Sequence, residues 1–186
     1  MLVYSLLCVA LATGNALFWL HKWHEQGVEL CFADTMMTGV QPSFLLMLLI
    51  PPTLGLVHQL KFILEQPFVI CALDNRARLA RNLLAALLFI AFRAVMAVSI
   101  PSIALGALLF RGGKPCTWES GASYYAYMTG QTLITPVKTG SLIVWQAMTI
   151  WLTVLLVSIL FLSINLSCES HQLGSILSWG VCLLAL

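Results

Sequence analysis

Charged residues are scarce in this 186-residue chain: Asp, Glu, Lys and Arg make up 9% of it, whereas 60% of residues are hydrophobic. The mean hydropathy of +0.95 lies far above that of soluble globular domains. A chain this apolar must satisfy its backbone hydrogen bonds internally, so α-helices are the expected spanning elements. The regular alternation of a membrane β-barrel is also missing. The sequence therefore predicts an all-α membrane protein, a polytopic helical bundle with no nucleic acid as partner.

Motifs of common enzymes are absent as well. The sequence has no Walker A glycine loop, no H-E-x-x-H and no G-x-S-x-G. Its seven acidic residues are scattered, which argues against paired carboxylates for acid–base chemistry. Six cysteines without a C-x-x-C pair argue against a thiol oxidoreductase, and His21 and His24 have no third ligand at metal spacing. We therefore expect no covalent chemistry, metal site or cofactor in this chain itself.

Apolar runs predict about five membrane spans, since a helix needs about 20 residues to cross a hydrocarbon core of about 30 Å. The predicted spans, all in one transmembrane domain of residues 1–186, are residues 2–20, 44–64, 84–110, 142–166 and 172–186. The first run is not read as a signal peptide, because it lacks a basic segment before it and a small-residue cleavage site after it. The last run is short for a span, so we expect the sequence to end inside the fifth helix.

Two connections, residues 21–42 and 111–141, are predicted to be polar and to lie on the non-cytoplasmic side. Cys31 and Cys116 would then share that side, where a disulfide is chemically allowed. Free thiols at both positions fit the sequence equally well.

The segment between the second and third spans is basic. Four of the nine Lys and Arg residues lie there: Lys61, Arg76, Arg78 and Arg81. Such a cluster marks the cytoplasmic side of a membrane protein. Asp74 or Asn75 can cap a new helix, which we expect to be a short amphipathic one at the interface. Its arginines either serve only as topology anchors that face lipid phosphates or also form a docking site for a soluble partner.

Three residues inside the apolar runs suggest a hinge or a pathway. Pro51 and Pro52 should kink or interrupt the second span, either as a moving part that lines a cavity or as a static kink. Arg93 lies about ten residues inside the third run. If residues 75–92 follow the interface, Arg93 is a boundary residue, which we favour; the alternative is a pathway arginine deep in the membrane.

Residues 43–110 carry a resemblance. The stretch LLMLLIPPTLG followed by CALDNRARLARNLLAALLFIAF resembles the permease subunits of ABC-2-type transporters, and is most similar to small bacterial ones linked to lantibiotic or bacteriocin export and self-protection. The chain has Glu65-Gln66-Pro67 where that family usually has a more acidic turn with glycine.

The resemblance implies a multi-pass permease subunit in a bacterial cell membrane, with six spans in the complete protein. Its substrate would be a peptide, a lipid-like or another amphipathic molecule. A separate soluble ATPase would bind ATP and Mg, and a second permease chain would complete a homo- or heterodimer. The segment of residues 65–82 would be the coupling element, with the coupling residues Asp74, Asn75, Arg76, Arg78 and Arg81. The alternative is a non-transport assembly subunit of a larger membrane complex.

Overall fold

The computed structural model describes residues 2–27, 30–64, 76–110 and 139–167, and all regular structure in these ranges is helical. Helix α1 comprises Leu2–Glu25, and a short helix α2 comprises Phe32–Thr38. Helix α3 is a continuous helical stretch whose three parts are Pro42–Phe44, the π-helical turn Leu45–Leu49, and Ile50–Leu64. Helices α4 and α5 comprise Arg76–Leu109 and Thr139–Ser167.

Four of these helices are long and apolar enough to cross a membrane. The stretches that qualify are Leu2–Glu25, Pro42–Leu60, Arg78–Leu109 and Gly140–Ile164. This confirms the predicted all-α membrane bundle. The fifth predicted span, residues 172–186, lies outside the described residues, so the number of spans in the whole chain stays a prediction.

Helix α4 is longer than predicted, because its 34 residues exceed what is needed to cross a hydrocarbon core of about 30 Å. The helix can therefore extend beyond the bilayer, and the placement of Arg93 at the membrane boundary stays a prediction. It runs without a break, so the separate short interfacial helix that we expected before the third span is wrong. The physical reason is composition: no glycine or proline occurs between Arg76 and Ile100, and Ala, Leu and Arg are strong helix formers.

The two prolines of α3 do not interrupt the helix as strongly as expected. Pro51 and Pro52 lack backbone N–H groups, so two carbonyls one turn earlier lose their helical donors. The π-helical turn Leu45–Leu49 lies directly before them, and there the N–H of Ile50 donates to the carbonyl of Leu45, five residues back. A π-turn widens the helix locally, so the chain absorbs the prolines and continues as helix.

The core of the bundle is formed where the four long helices meet. Its largest fully buried apolar side chains come from α3, α4 and α5 and include Phe44, Leu49, Leu54, Ile90, Ile150 and Phe161. Large apolar side chains also cover the outer surface, for example Leu6, Phe62, Phe92, Trp145 and Leu156. An outer surface of this kind suits contact with lipid tails and not with water.

The connection after α1 is the largest departure from expectation. Residues 21–42 were predicted to form a polar surface connection, but α1 continues to Glu25 and α2 lies buried against α1, α4 and α5. Close packing at two glycines makes this possible. A Cβ at Gly106 would lie 2.7 Å from a ring carbon of Phe32, and a Cβ at Gly39 would lie 2.8 Å from a methyl carbon of Val98. Because glycine has no Cβ, these two clashes do not arise, and the backbone of α2 and the connection after it approach α4 closely.

Helices α1 and α4 run parallel to each other. The N-terminal turn of α1 meets the middle of α4, where Arg93 reaches Ser5. The later parts of both helices flank α2: Asn15 of α1 donates to the carbonyl of Thr38 at 2.8 Å, and Gly106 of α4 packs on α2. The two helices therefore present a shared, parallel seam on one side of the bundle.

Candidate functional site

A groove with a volume of about 620 Å³ lies between α1 and α4. It opens on the outer surface of the bundle, since several of its lining side chains, such as Val9, Phe92 and Ile100, are exposed. The sequence places each wall on one helix face: Ser5, Val9 and Thr13 recur every four residues along α1, and side chains at that spacing lie above one another.

The opposite wall follows the same rule on α4. Arg93, Ala97, Pro101 and Leu105 also recur every four residues, and Leu108 extends the wall to the helix end. At 1.5 Å per residue, the wall from Arg93 to Leu108 is about 22 Å long. The groove is therefore long and narrow, with its one charged side chain among the lining residues at one end.

Arg93 is half-buried at the end of the groove and makes two contacts. Its Nη1 donates to Ser5 Oγ across 3.4 Å, and its guanidinium carbon lies 5.0 Å from the centre of the Phe89 ring. Phe89 lies one turn earlier on the same helix, as expected for a long side chain that points toward the helix N-terminus. The guanidinium therefore lies at the level of the first turns of α1.

The cost of Arg93 in a membrane depends on its level. It lies inside the stretch Arg78–Leu109, about 22 Å from Arg78 along the helix axis, and beside Ser5 at the start of the span Leu2–Glu25. Insertion of an arginine at a span centre costs about 2.5–3.5 kcal/mol, whereas one near a span end can reach the interface at a lower cost. A cation–π contact returns about 0.5–2 kcal/mol. A hydrogen bond of 3.4 Å is long and adds little.

Within the described ranges no carboxylate pairs with Arg93; the ion pair found there joins His21 Nε2 and Glu25 Oε1 at 3.2 Å, on the exposed end of α1. The guanidinium has five N–H donors and uses one of them in the hydrogen bond to Ser5. It therefore keeps the capacity to bind an anion at the end of the groove.

The rest of the groove is apolar in character. The hydroxyl of Thr13 is already committed to its own helix, because it donates to the carbonyl of Val9 at 2.8 Å. The α4 wall beyond Arg93 consists of alanine, leucine, isoleucine, methionine and proline side chains. A molecule that fills this groove must be apolar along most of its length.

A second feature is a buried polar layer between α2, α4 and α5. Its members are largely inaccessible to solvent and comprise Asp34, Thr35, Thr38, Gln41, Ser99, Ser102 and Gln146. Many of its hydrogen bonds are local: the Asp34 carboxylate accepts from the N–H of Cys31 at 2.8 Å, and Thr38 Oγ1 donates to the carbonyl of Thr35 at 2.8 Å. The layer thus begins with side chains that cap and brace the short helix α2.

Gln146 links this layer across helices. Its Nε2 donates to Ser102 Oγ at 3.5 Å, and its side chain touches the backbone at Gly39. Three buried polar atoms of the layer make no hydrogen bond within the described part of the chain: Gln41 Oε1, Gln146 Oε1 and Ser99 Oγ. We interpret this layer as a structural element that holds α2 in place, because its contacts join three helices.

The predicted coupling residues are only partly described. Arg78 and Arg81 are exposed in the first turns of α4. That helix begins at Arg76, directly after the two predicted caps, Asp74 and Asn75, which lie outside the described residues. Both exposed arginines lie about 18 Å or more from Arg93 along the helix. The predicted coupling segment and the groove are therefore separate parts of α4.

The remaining predicted residues are not brought together with Arg93. Pro51 and Pro52 are half-buried in α3 and do not line the groove between α1 and α4. Cys31 is half-buried at the start of α2, while Cys116 lies outside the described residues, so their disulfide stays a prediction.

Of the residues that line the groove, Arg93 on the α4 wall was singled out from the sequence. Ser5, Val9 and Thr13 on the α1 wall were not singled out. The available signal was the pair of hydroxyl residues spaced eight apart in an apolar helix, which places both on one face. It shows which face of α1 is less apolar, but not that α4 lies opposite.

The comparisons with known proteins add no relative. No protein-family model, no curated protein and no solved structure matches this chain. What the chain does must therefore be argued from its own residues: an apolar groove with an arginine at one end, and two exposed arginines at the start of the same helix.

Proposed function

We propose that this chain is the membrane-spanning permease subunit of an ATP-driven, ABC-type transporter that acts on an amphipathic substrate. The observation that carries the proposal is the half-buried Arg93, which lies in a membrane-spanning helix at the end of an apolar groove. An ionisable side chain within a membrane-spanning stretch that faces a cavity supports a substrate or ion pathway.

The substrate class follows from the groove. Its apolar walls suit an acyl chain, an apolar peptide segment or another lipid-like group, and its arginine suits an acidic group on the same molecule. Because the groove opens sideways toward the lipid phase, a substrate of this kind can enter from the bilayer without crossing water.

Energy has to come from a partner. The sequence contains no phosphate-binding glycine loop, so a separate soluble ATPase would bind ATP and Mg. We place its docking surface at the start of α4, where Arg78 and Arg81 are exposed and can pair with carboxylates through their planar forks. In this proposal Asp74, Asn75 and Arg76 belong to the same surface, a second permease chain completes the transporter, and the complex lies in a bacterial cell membrane.

One observation favours a second function. The groove is an open seam and not a channel enclosed by the described helices, so a transmembrane helix of another protein also fits it. In that case the chain is an assembly subunit of a larger membrane complex and moves nothing.

The docking surface separates the two functions experimentally. We expect the double variant Arg78→Lys with Arg81→Lys to insert normally, because lysine keeps the positive charge that sets topology. Loss of the planar forks should nevertheless weaken ATPase binding and lower substrate-stimulated ATP hydrolysis by about tenfold.

The matched control is Arg78→Gln with Arg81→Gln, which removes the charges as well and should affect both docking and topology. Wild-type ATPase binding and hydrolysis in a correctly inserted lysine variant would show that the arginines are topology anchors only.

A further inference from the structure

We infer that the groove between α1 and α4 is a binding site for one anionic phospholipid of the surrounding bilayer, with the lipid phosphate on Arg93 and one acyl chain along the groove. The site is the one used in the proposed function, but the inference concerns binding alone. Binding without ATP-driven transport would refute the proposed function and leave this inference intact.

Charge selects the headgroup. Arg93 brings the positive charge to the lining of the groove, and within the described ranges no acidic side chain neutralises it. Its bond to Ser5 is long, at 3.4 Å, and the contact with Phe89 covers only the face of the guanidinium. The edge of the fork therefore has free donors, and a phosphate oxygen pair matches their spacing.

Length and surface select the tail. The α4 wall from Arg93 to Leu108 is about 22 Å long, whereas one leaflet of a hydrocarbon core is about 15 Å thick. An acyl chain thus fits within the groove over its full length. Ala97 and Ala104 leave room along the floor, because an alanine side chain is short, and the exposed Met96 and Ile100 border the opening.

A lipid satisfies both requirements better than a partner helix does. A helix that fills the groove would place its own backbone dipoles and apolar side chains against the guanidinium, and it would still need an acidic residue at the same depth. A phospholipid brings an acyl chain and a phosphate as one molecule, and the bilayer supplies it at high local concentration.

The test uses the full chain in nanodiscs that contain phosphatidylcholine and phosphatidylglycerol with identical acyl chains. Native mass spectrometry after release from the nanodisc measures which lipid stays bound. We expect wild type to retain phosphatidylglycerol in preference to phosphatidylcholine. Arg93→Gln should lower that retention at least about tenfold, because it removes a charge-assisted pair, and Arg93→Lys should retain an intermediate amount.

Two control variants separate the site from general surface charge. Arg81→Gln removes one exposed arginine outside the groove and should leave retention unchanged. Ala104→Phe fills the groove and should reduce retention although Arg93 is intact, whereas Ala85→Phe, at an exposed position of α4 outside the groove, should not.

The inference would be overturned by equal retention in wild type and Arg93→Gln when both keep wild-type helix content. An equal loss in Arg81→Gln, or retention of a partner polypeptide instead of lipid in the groove, would also overturn it. Displacement of the bound lipid by inorganic phosphate alone would also contradict it, because the acyl chain would then contribute no binding.

Discussion

Tyr4 Oη lies 2.9 Å from Thr53 Oγ1, and this buried hydrogen bond joins α1 to α3 one residue after the Pro51-Pro52 pair. The hydroxyl hydrogen of Thr53 is already donated to the carbonyl of Leu49 at 2.7 Å. Tyr4 is therefore the donor and Thr53 the acceptor. The bond anchors the N-terminal turns of α1, and with them Ser5 beside Arg93, to the turn of α3 that follows the prolines.

Removing this bond should loosen the bundle. We expect Tyr4→Phe to lower the free energy of unfolding by about 0.6–1 kcal/mol, the usual size of a single hydrogen bond between membrane helices. Thermal unfolding of the purified protein in detergent measures it. Thr13→Val is the matched control, because the Thr13 hydroxyl bonds only to its own helix. Equal stabilities of Tyr4→Phe and wild type would show that the bond does not hold α1 in place.

Gly106 should be intolerant of any side chain. A Cβ there would lie 2.7 Å from Phe32 Cδ2 and 2.8 Å from Thr35 Oγ1, so Gly106→Ala must push α2 away from α4. Overpacking of this kind costs about 1–3 kcal/mol. Gly14→Ala, at an exposed helical position with no atom within 4 Å of the added Cβ, should instead stabilise the protein by up to about 1 kcal/mol. Melting temperatures that change in the same direction for both variants would contradict the close packing of α2.

The prolines of α3 should matter for movement more than for insertion. Pro51→Ala with Pro52→Ala restores two backbone donors, so we expect the π-helical turn to relax toward regular α-helix and the protein to become more stable. If that turn is a moving part, transport in membrane vesicles falls while the amount of inserted protein stays normal.

Pro42→Ala is the control for the proline pair, because Pro42 occupies the first turn of α3, where proline costs little. Unchanged transport in the Pro51, Pro52 double variant would reduce the pair to a static kink.

The start of α4 should face the cytoplasm. The expectation rests on the four Lys and Arg residues in 61–82, against three in the longer connection 111–141. Arg78→Cys should react with a membrane-impermeant maleimide only after the cells are permeabilised. His24→Cys, exposed at the end of α1, should react in intact cells, and the wild-type chain measures the background from native cysteines. Labelling of position 78 in intact cells would show that the start of α4 faces outward and that the predicted topology is wrong.

The membrane bundle was predictable because length and hydropathy decide it. The apolar runs 44–64 and 142–166 correspond closely to α3 and α5, whose ends lie within about three residues of those predicted. Deep burial of backbone groups in lipid leaves few alternatives to a helix. The continuity of α4 was less predictable, since residues 76–92 can form a separate interfacial helix or continue into the span. The absence of glycine and proline between Arg76 and Ile100 favours the continuous helix that is observed.

The burial of α2 was not predictable from its own residues. Asp34, Thr35 and Thr38 are polar, and polarity favours a surface connection. Their burial depends on α4 and α5, whose packing residues lie more than 60 positions away: Gln146 lies against Gly39, and Gly106 leaves space for Phe32 and Thr35. The single glutamine of α5 was a usable signal, because polar side chains in spans tend to face other helices. The groove was equally unpredictable from either helix alone, because it exists only where faces of α1 and α4 meet.

The central claim is that this membrane chain is driven by a separate ATPase, and the most direct test is to identify the chains that purify with it. The full chain, extracted from its own membrane in a mild detergent, should carry a soluble polypeptide with a phosphate-binding glycine loop in fixed stoichiometry, and the purified complex should hydrolyse ATP. A stable complex without any nucleotide-binding chain would contradict the transporter account and support the assembly subunit instead.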